Sequence, residues 1–258
     1  MDFVGEINEK GVLEQRFDLK VESEVVPGIV WRPAEKTENI PTILIGHGGT
    51  QHKRAPNVLG LARRFVRHLG FAAVAIDAPG HGDRVTDPDA ASEQRRNLER
   101  RIAGGPTGRP FEIPPEQAKA WVERTTRGVQ DWKALLDELP SIGLSGPYGY
   151  WGVSMGTAIG LPFVASEPRI AAAVLGLAGM GNRPGAQAFE ASAKRLAIPI
   201  LFVFQWDDEL MNRESGLALF DAIGSKEKTM HINPGGHVGT PLFERDAYDA
   251  FFARHLAS

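Results

Sequence analysis

The sequence predicts an α/β domain: a mostly parallel sheet of about eight strands, with helices on both faces. Three observations predict it. Short, wholly apolar runs recur along the 258 residues, amphipathic stretches of helical period separate them, and most of the runs end in turns rich in glycine and polar residues.

Residues 13–31 alternate well enough to give two antiparallel strands, Gln15 to Val21 and Val25 to Trp31, at the edge of the sheet. Thr42 to Ile45 is the first buried strand, and it runs into Gly46-His47-Gly48-Gly49-Thr50. Between Pro56 and Leu69, Val58, Leu59, Leu61, Phe65, Val66 and Leu69 recur at helical spacing, as a crossover helix to the next strand at 72–77 requires. That strand ends in Asp77-Ala78-Pro79-Gly80-His81-Gly82-Asp83. From Arg84 to about Pro115 the rhythm breaks: a charged helical piece, Ser92 to Ile102, precedes a Gly/Pro-rich stretch, and the segment reads as a lid-like insertion over the strand ends. Glu116 to Leu139 is a long amphipathic helix leading into the apolar strand Tyr148 to Trp151. A further helix after Ser154, the strands Ala171–Leu177, Ile198–Phe204 and Lys228–Ile232, a helix near Glu214–Ala222 and a final helix Pro241–Leu256 continue the alternation. One domain, 1–258, with 84–115 as its insertion is the economical division.

Composition narrows the function. A net charge of −3 with no long basic run leaves no footprint for nucleic acid. No apolar stretch reaches the ~18 residues that span a bilayer, so no membrane partner is expected. The first residues carry neither the basic region nor the apolar core of a signal peptide, which makes the cytoplasm the expected compartment. With no cysteine there is neither disulfide nor thiol nucleophile, and no His/carboxylate spacing suggests a metal; neither metal nor cofactor is expected. A small-molecule partner is favoured, and the edge strand and terminal helix are the surfaces available to a homodimer.

The candidate chemistry starts at Gly152-Val153-Ser154-Met155-Gly156, which follows an apolar strand and opens a helix. That is the setting of a nucleophile elbow, where glycines two before and two after the serine keep Cβ atoms out of a sharp turn and the N–H of the next residue, Met155, faces the attacked carbonyl oxygen. A serine so placed needs an acid and then a histidine downstream, each past a strand end. Asp207, Asp208 and Glu209 follow the strand at 198–204, and His237 lies on the glycine-rich loop after Lys228–Ile232. His231, the rival histidine, falls inside that strand. Trp151, Trp206 and Met180 are candidate apolar walls of a substrate site.

With the Gly46-His47-Gly48-Gly49 turn, the Asp-x-Pro-Gly-His-Gly turn, the elbow and the downstream acid and histidine in this order, the chain resembles the α/β-hydrolase superfamily over roughly residues 40–256. The resemblance implies that Gly49 supplies a second oxyanion N–H beside Met155. It places the acid three residues after the strand's terminal polar residue, counting from Gln205 to Asp208. Asp207 and Glu209 are then solvated loop charges, and His47 and His81 pack their turns. His52 and Lys53, which follow the Gly48-Gly49 turn, are either lining residues of the site or surface residues, the surface role being favoured. The modest size is similar to the dienelactone-hydrolase-like and small serine carboxylesterase branches, although dienelactone hydrolases use cysteine. The implied activity is cleavage of a carboxylic ester with a small or medium acyl group, by Ser154, His237 and Asp208. Thioesterase, oligopeptidase-type or carbon–carbon hydrolase chemistry would use the same triad, and a binding module with a silent triad is the non-enzymatic alternative.

Overall fold

A computed structural model describes residues 1–35, 39–106, 112–181 and 185–257. Its centre is a nine-stranded sheet in the order β1-β2-β3-β5-β4-β6-β7-β8-β9. The first three strands, β1 (Asp2–Glu9), β2 (Val12–Val21) and β3 (Glu24–Pro33), form an antiparallel meander, and β3 joins β5 (Ala72–Ile76) antiparallel. From β5 onward all pairings are parallel: β4 (Thr42–Gly46), β6 (Tyr148–Val153), β7 (Ile170–Gly176), β8 (Ile200–Gln205) and β9 (Lys228–Asn233). Sequence reading placed the sheet edge at 15–31; the outermost strand is β1. Its residues are exposed on both faces apart from the half-buried Gly5, so no alternation of apolar and polar side chains marks it.

Seven α-helices accompany the sheet among the described residues: α1 (Pro56–Arg64, continued by a π-helical turn to Leu69), α2 (Pro88–Ala103), α3 (Ala118–Glu138), α4 (Met155–Val164), α5 (Ala186–Arg195), α6 (Arg213–Ala222) and α7 (Glu244–Leu256). Sequence signals set several ends. Asp87 and Asn212 cap α2 and α6 by accepting from Ala90 N and Ser215 N, and Gly70 closes the π-helical turn in the left-handed region at φ 68°. The strand at 15–21 starts earlier than expected, at Val12, and α2 starts at Pro88 rather than Ser92. Helix α5 was not expected. The insertion expected over 84–115 lies partly outside the described residues, which omit 107–111.

Although the parallel strands read as continuous apolar runs, their period of two still sorts them into two cores. Leu44, Val74, Tyr150, Leu175 and Phe202 face Trp132, Leu135, Phe163 and Leu219 of α3, α4 and α6. Ile43, Ile45, Ala73, Trp151, Val174 and Val203 face Val58 and Leu61 of α1, Phe65 after it, and Tyr248 and Phe252 of α7. Burying apolar surface on both sides fixes strand register, because a slip of one residue would exchange the two cores. The parallel strands therefore end along one edge of the sheet, where α/β folds gather their ligands. No helix of the described residues is long and apolar enough to cross a membrane.

Candidate active site

Ser154 stands between β6 and α4 at φ 57°, ψ −119°, a conformation that costs a non-glycine residue of order 1–3 kcal/mol and persists because its surroundings hold it. Its backbone is clamped at both ends: the N–H donates to Gly176 O at 2.9 Å, and the C=O accepts from Thr157 and Ala158 at 2.9 and 3.0 Å. Beneath it, the fully buried Tyr150 donates its hydroxyl to Gly156 O at 2.8 Å. The elbow's glycines are required by this packing. A Cβ at Gly152 or Gly160 would meet the Tyr150 ring, and one at Gly156 would meet Gly46 O.

The loop after β9 brings His237 over this turn. Its Nε2 lies 2.9 Å from Ser154 Oγ, and its Nδ1 lies 2.8 Å from Asp208 Oδ2. The second oxygen of Asp208 accepts the N–H groups of Leu210 and Met211, each at 2.8 Å, and the side chain is wholly buried. A carboxylate so bonded stays oriented toward the imidazole. The N–H groups of Gly49 and Met155 border the same space, and neither has an acceptor among the described residues. Gln51 Oε1 shapes the Gly49 turn by accepting from Gly48 N at 3.1 Å and Asn57 Nδ2 at 3.2 Å.

His47 sits behind this turn, its Nδ1 bonded to Gly48 O at 2.8 Å and its Nε2 accepting from Ala78 N at 3.0 Å. Burial pushes its pKa down to about 4, which keeps the neutral ring that this pair of bonds needs. Around Ser154 opens a cavity of about 1300 Å³. One wall is α2, with Leu98, Arg101 and Ile102; others are Trp121 of α3, Leu177 and Met180 after β7, and Val238 to Leu242 beyond the histidine.

No protein-family model and no curated protein matches the chain. Solved structures do. A novel cold-adapted esterase from an Arctic intertidal metagenomic library, in its PEG-bound complex, is 34% identical over 99% of this chain and 100% of that one, with a TM-score of 0.80. The chain belongs to the α/β-hydrolase superfamily, among its esterases. A dienelactone hydrolase from Anabaena variabilis superposes with a TM-score of 0.63 at 16% identity, covering 95% of this chain and 99% of that one. Est1E from Butyrivibrio proteoclasticus gives 0.65 at 13% identity, covering 93% and 98%. These two share the fold.

In this hydrolase Ser154, His237 and Asp208 are brought together, and Gly49, Met155, Trp151 and Met180 border the cavity. Trp206 is a correction. It is 43% exposed and does not line the cavity; the chain turns after Gln205, and the Trp206 ring is covered on its outer side by the Arg213 guanidinium at 4.2 Å. Lys53 is a second correction, since it is buried: its Nζ lies 2.7 Å from Asp77 and 2.6 Å from Asp83, which ties the turn after β4 to the turn after β5. Glu209 is a third. It accepts the backbone N–H of His237 at 2.7 Å, and a Cβ at Gly236 would strike its carboxylate. The signal for Glu209 was its place beside Asp208, but adjacency in a loop does not reveal a partner 28 residues away. His231, as expected of a strand histidine, bonds to Glu244 at 3.0 Å.

Proposed function

We propose that the protein is a serine carboxylic-ester hydrolase working through an acyl-enzyme. The observation that carries the reading is the continuous hydrogen-bonded line from Ser154 Oγ through His237 to Asp208, with steps of 2.9 and 2.8 Å. His237 Nε2 takes the hydroxyl proton as Ser154 Oγ adds to the ester carbonyl. Asp208 holds the ring by Nδ1–H and stabilises the imidazolium. The N–H groups of Gly49 and Met155 receive the oxyanion, a contribution worth roughly 3–4 kcal/mol per donor in a comparable hydrolase. The tetrahedral adduct collapses as Nε2 returns the proton to the leaving alkoxide. Water, deprotonated by the same nitrogen, then releases the acid and restores Ser154.

Two features support a small-molecule ester with a small or medium acyl group. Residues of α2 and of the start of α3 line the cavity, and its walls include the apolar side chains of Met155, Leu177, Met180 and Leu210. Hydrolysis of a p-nitrophenyl ester series by the wild type and by Ser154→Ala tests the reading. Turnover that survives the substitution in purified protein would sink it.

A further inference from the structure

The cavity wall formed by α1, β6 and α7 carries a cation that the proposed chemistry does not use. Arg245, half-buried, lines it and pairs with no carboxylate among the described residues. Its guanidinium reaches across to α1, where a Cβ at Gly60 would stand 3.8 Å from Nη1, and Asn57 and Leu61 of that helix also line the cavity. Acids on α7 could have neutralised it and do not. Glu244 bonds to His231 and Asn233, Asp246 to Arg64, and Asp249, at the i+4 spacing that suits an ion pair, takes Arg64 at 2.7 Å and His68 at 3.2 Å. The second oxygen of Asp249 is buried with no donor, so Arg245 does not turn to it although one helical turn separates them. A cation in the first turn of a helix also opposes the helix dipole. Stability alone would place a neutral or acidic side chain there.

Tyr248 stands three residues on, on the same face of α7, and is 3% exposed. The Trp151 indole nitrogen, shielded from the cavity, is placed to donate to the Tyr248 hydroxyl, with the two rings 6.0 Å apart. The phenolic proton is thereby left for another acceptor, and it meets none among the described residues. Burial pushes the Tyr248 pKa up, so the group stays a donor. An indole N–H behind the phenol polarises it and strengthens its own donation. The rest of the lining fixes the charge that fits. Its carboxylates, Glu93 and Glu112, come from α2 and the segment before α3, and Arg101 and Arg124 come from α2 and α3, whereas α1, β6 and α7 supply no acid among the described lining residues. Val153, next to Ser154, faces the same side of the sheet as Trp151, so this wall adjoins the nucleophile.

We propose that Arg245 and Tyr248 bind a carboxylate carried by the ester substrate, one oxygen taking the guanidinium and the other the phenolic O–H. The proposal rests on the ester-hydrolase reading for the reacting bond, and it holds for a carboxylate on either half of the ester. A carboxylate entering this wall meets an opposite charge where it loses water, and charge-assisted hydrogen bonds are the strong ones.

The test compares carboxylates with their uncharged amides. One set carries the group on the acyl half: monomethyl adipate, suberate and sebacate against the methyl esters of the matching half-amides. The other carries it on the alcohol: 6-acetoxyhexanoate and 8-acetoxyoctanoate against their amides. At neutral pH the wild-type kcat/KM is expected to favour the carboxylate about tenfold to hundredfold in one of the sets, the range of a charge-assisted hydrogen bond, and the set that shows it assigns the half. In Arg245→Met the ratio falls to one or below, and in Tyr248→Phe it falls partway; because each ratio is taken within one variant, a general loss of activity cancels. Arg124→Met, which removes a different cation of the same cavity, keeps the ratio. Calorimetric Kd values for the same pairs with Ser154→Ala should show the same preference without turnover. Ratios and Kd values that are equal in every pair overturn the subsite, as does a preference that survives Arg245→Met or that Arg124→Met removes as fully. Tighter binding of the carboxylates to Ser154→Ala, with no ester of either set hydrolysed by the wild type, keeps the subsite and overturns the ester-hydrolase reading instead.

Discussion

The Glu209 carboxylate accepts the backbone N–H of His237 at 2.7 Å, so the residue after Asp208 holds the loop that Asp208's imidazole partner stands on. Two further bonds join the same loops: Asp207 N–H donates to Gly235 O at 3.1 Å, and Gln205 Nε2 donates to Gly236 O at 3.3 Å. Asp208 and His237 are thereby fixed by one set of contacts between the ends of β8 and β9. Glu209→Ala removes the acceptor, and kcat for a p-nitrophenyl ester should fall about tenfold or more, since small misplacements of a base are costly. Glu209→Gln keeps an acceptor oxygen and should retain most of the rate. Equal kcat values for Ala and wild type would remove Glu209 from this role.

The elbow's packing predicts a stability effect separate from chemistry. At Gly160 an added Cβ falls on the ring of Tyr150, which is fully buried and cannot swing aside. Gly160→Ala should cost about 1–3 kcal/mol or more in urea unfolding, as overpacked cores do. Gly49→Ala meets no atom within 4 Å and should leave the unfolding midpoint close to wild type.

These two glycines show where the sequence was legible. Gly-x-Ser-x-Gly on a strand-to-helix junction, and the order of acid and histidine behind strands, could be read from residue type and period alone, because the elbow and the strand-end loops are local features. The parallel strands were legible for the same reason. Gly160's need to be glycine was not, since it depends on Tyr150 crossing beneath from β6. Trp206 was misplaced because an aromatic just past a strand end can turn to either side, and the stacking on Arg213 that settles it lies seven residues on. Strand β1 was missed because an edge strand exposed on both faces has no periodic pattern.

Lys53 supplies a third prediction. Its ammonium bridges the fully buried Asp77 and the mostly exposed Asp83, while Asp77 also accepts the backbone N–H groups of Lys53 and Asp83 at 2.8 and 2.9 Å. The bond to Lys53 holds the Asp83 carboxyl below its ordinary range. Lys53→Met leaves Asp77 buried and uncompensated, and should cost roughly 3–5 kcal/mol in denaturant unfolding. Asp83→Asn, at the exposed end, should cost less than about 1 kcal/mol. A small loss for Lys53→Met would contradict the ion pair as the tie between the two turns.

His47 sets an acid limit. Burial lowers its pKa in the folded protein to about 4, against an ordinary value of 6.5, so the folded state favours the neutral ring. Its contribution is therefore fully present above pH 6.5 and is lost as pH falls through the folded value, a difference of order 3 kcal/mol. Protonation would also oppose Nε2–H to the Ala78 N–H it now accepts from. Urea unfolding at pH 7 and pH 4.5 should show this loss in the wild type, and His47→Gln should flatten the slope between them. An unchanged slope in His47→Gln would assign the acid sensitivity to other groups.

The central claim is that Ser154 is a nucleophile activated by His237, and labelling by a fluorophosphonate, read by intact and peptide mass, tests it most directly. The account predicts one adduct, on Ser154, forming rapidly in the wild type and far more slowly in His237→Ala. A wild-type protein that takes up no label at Ser154, or labels as fast without His237, would contradict it.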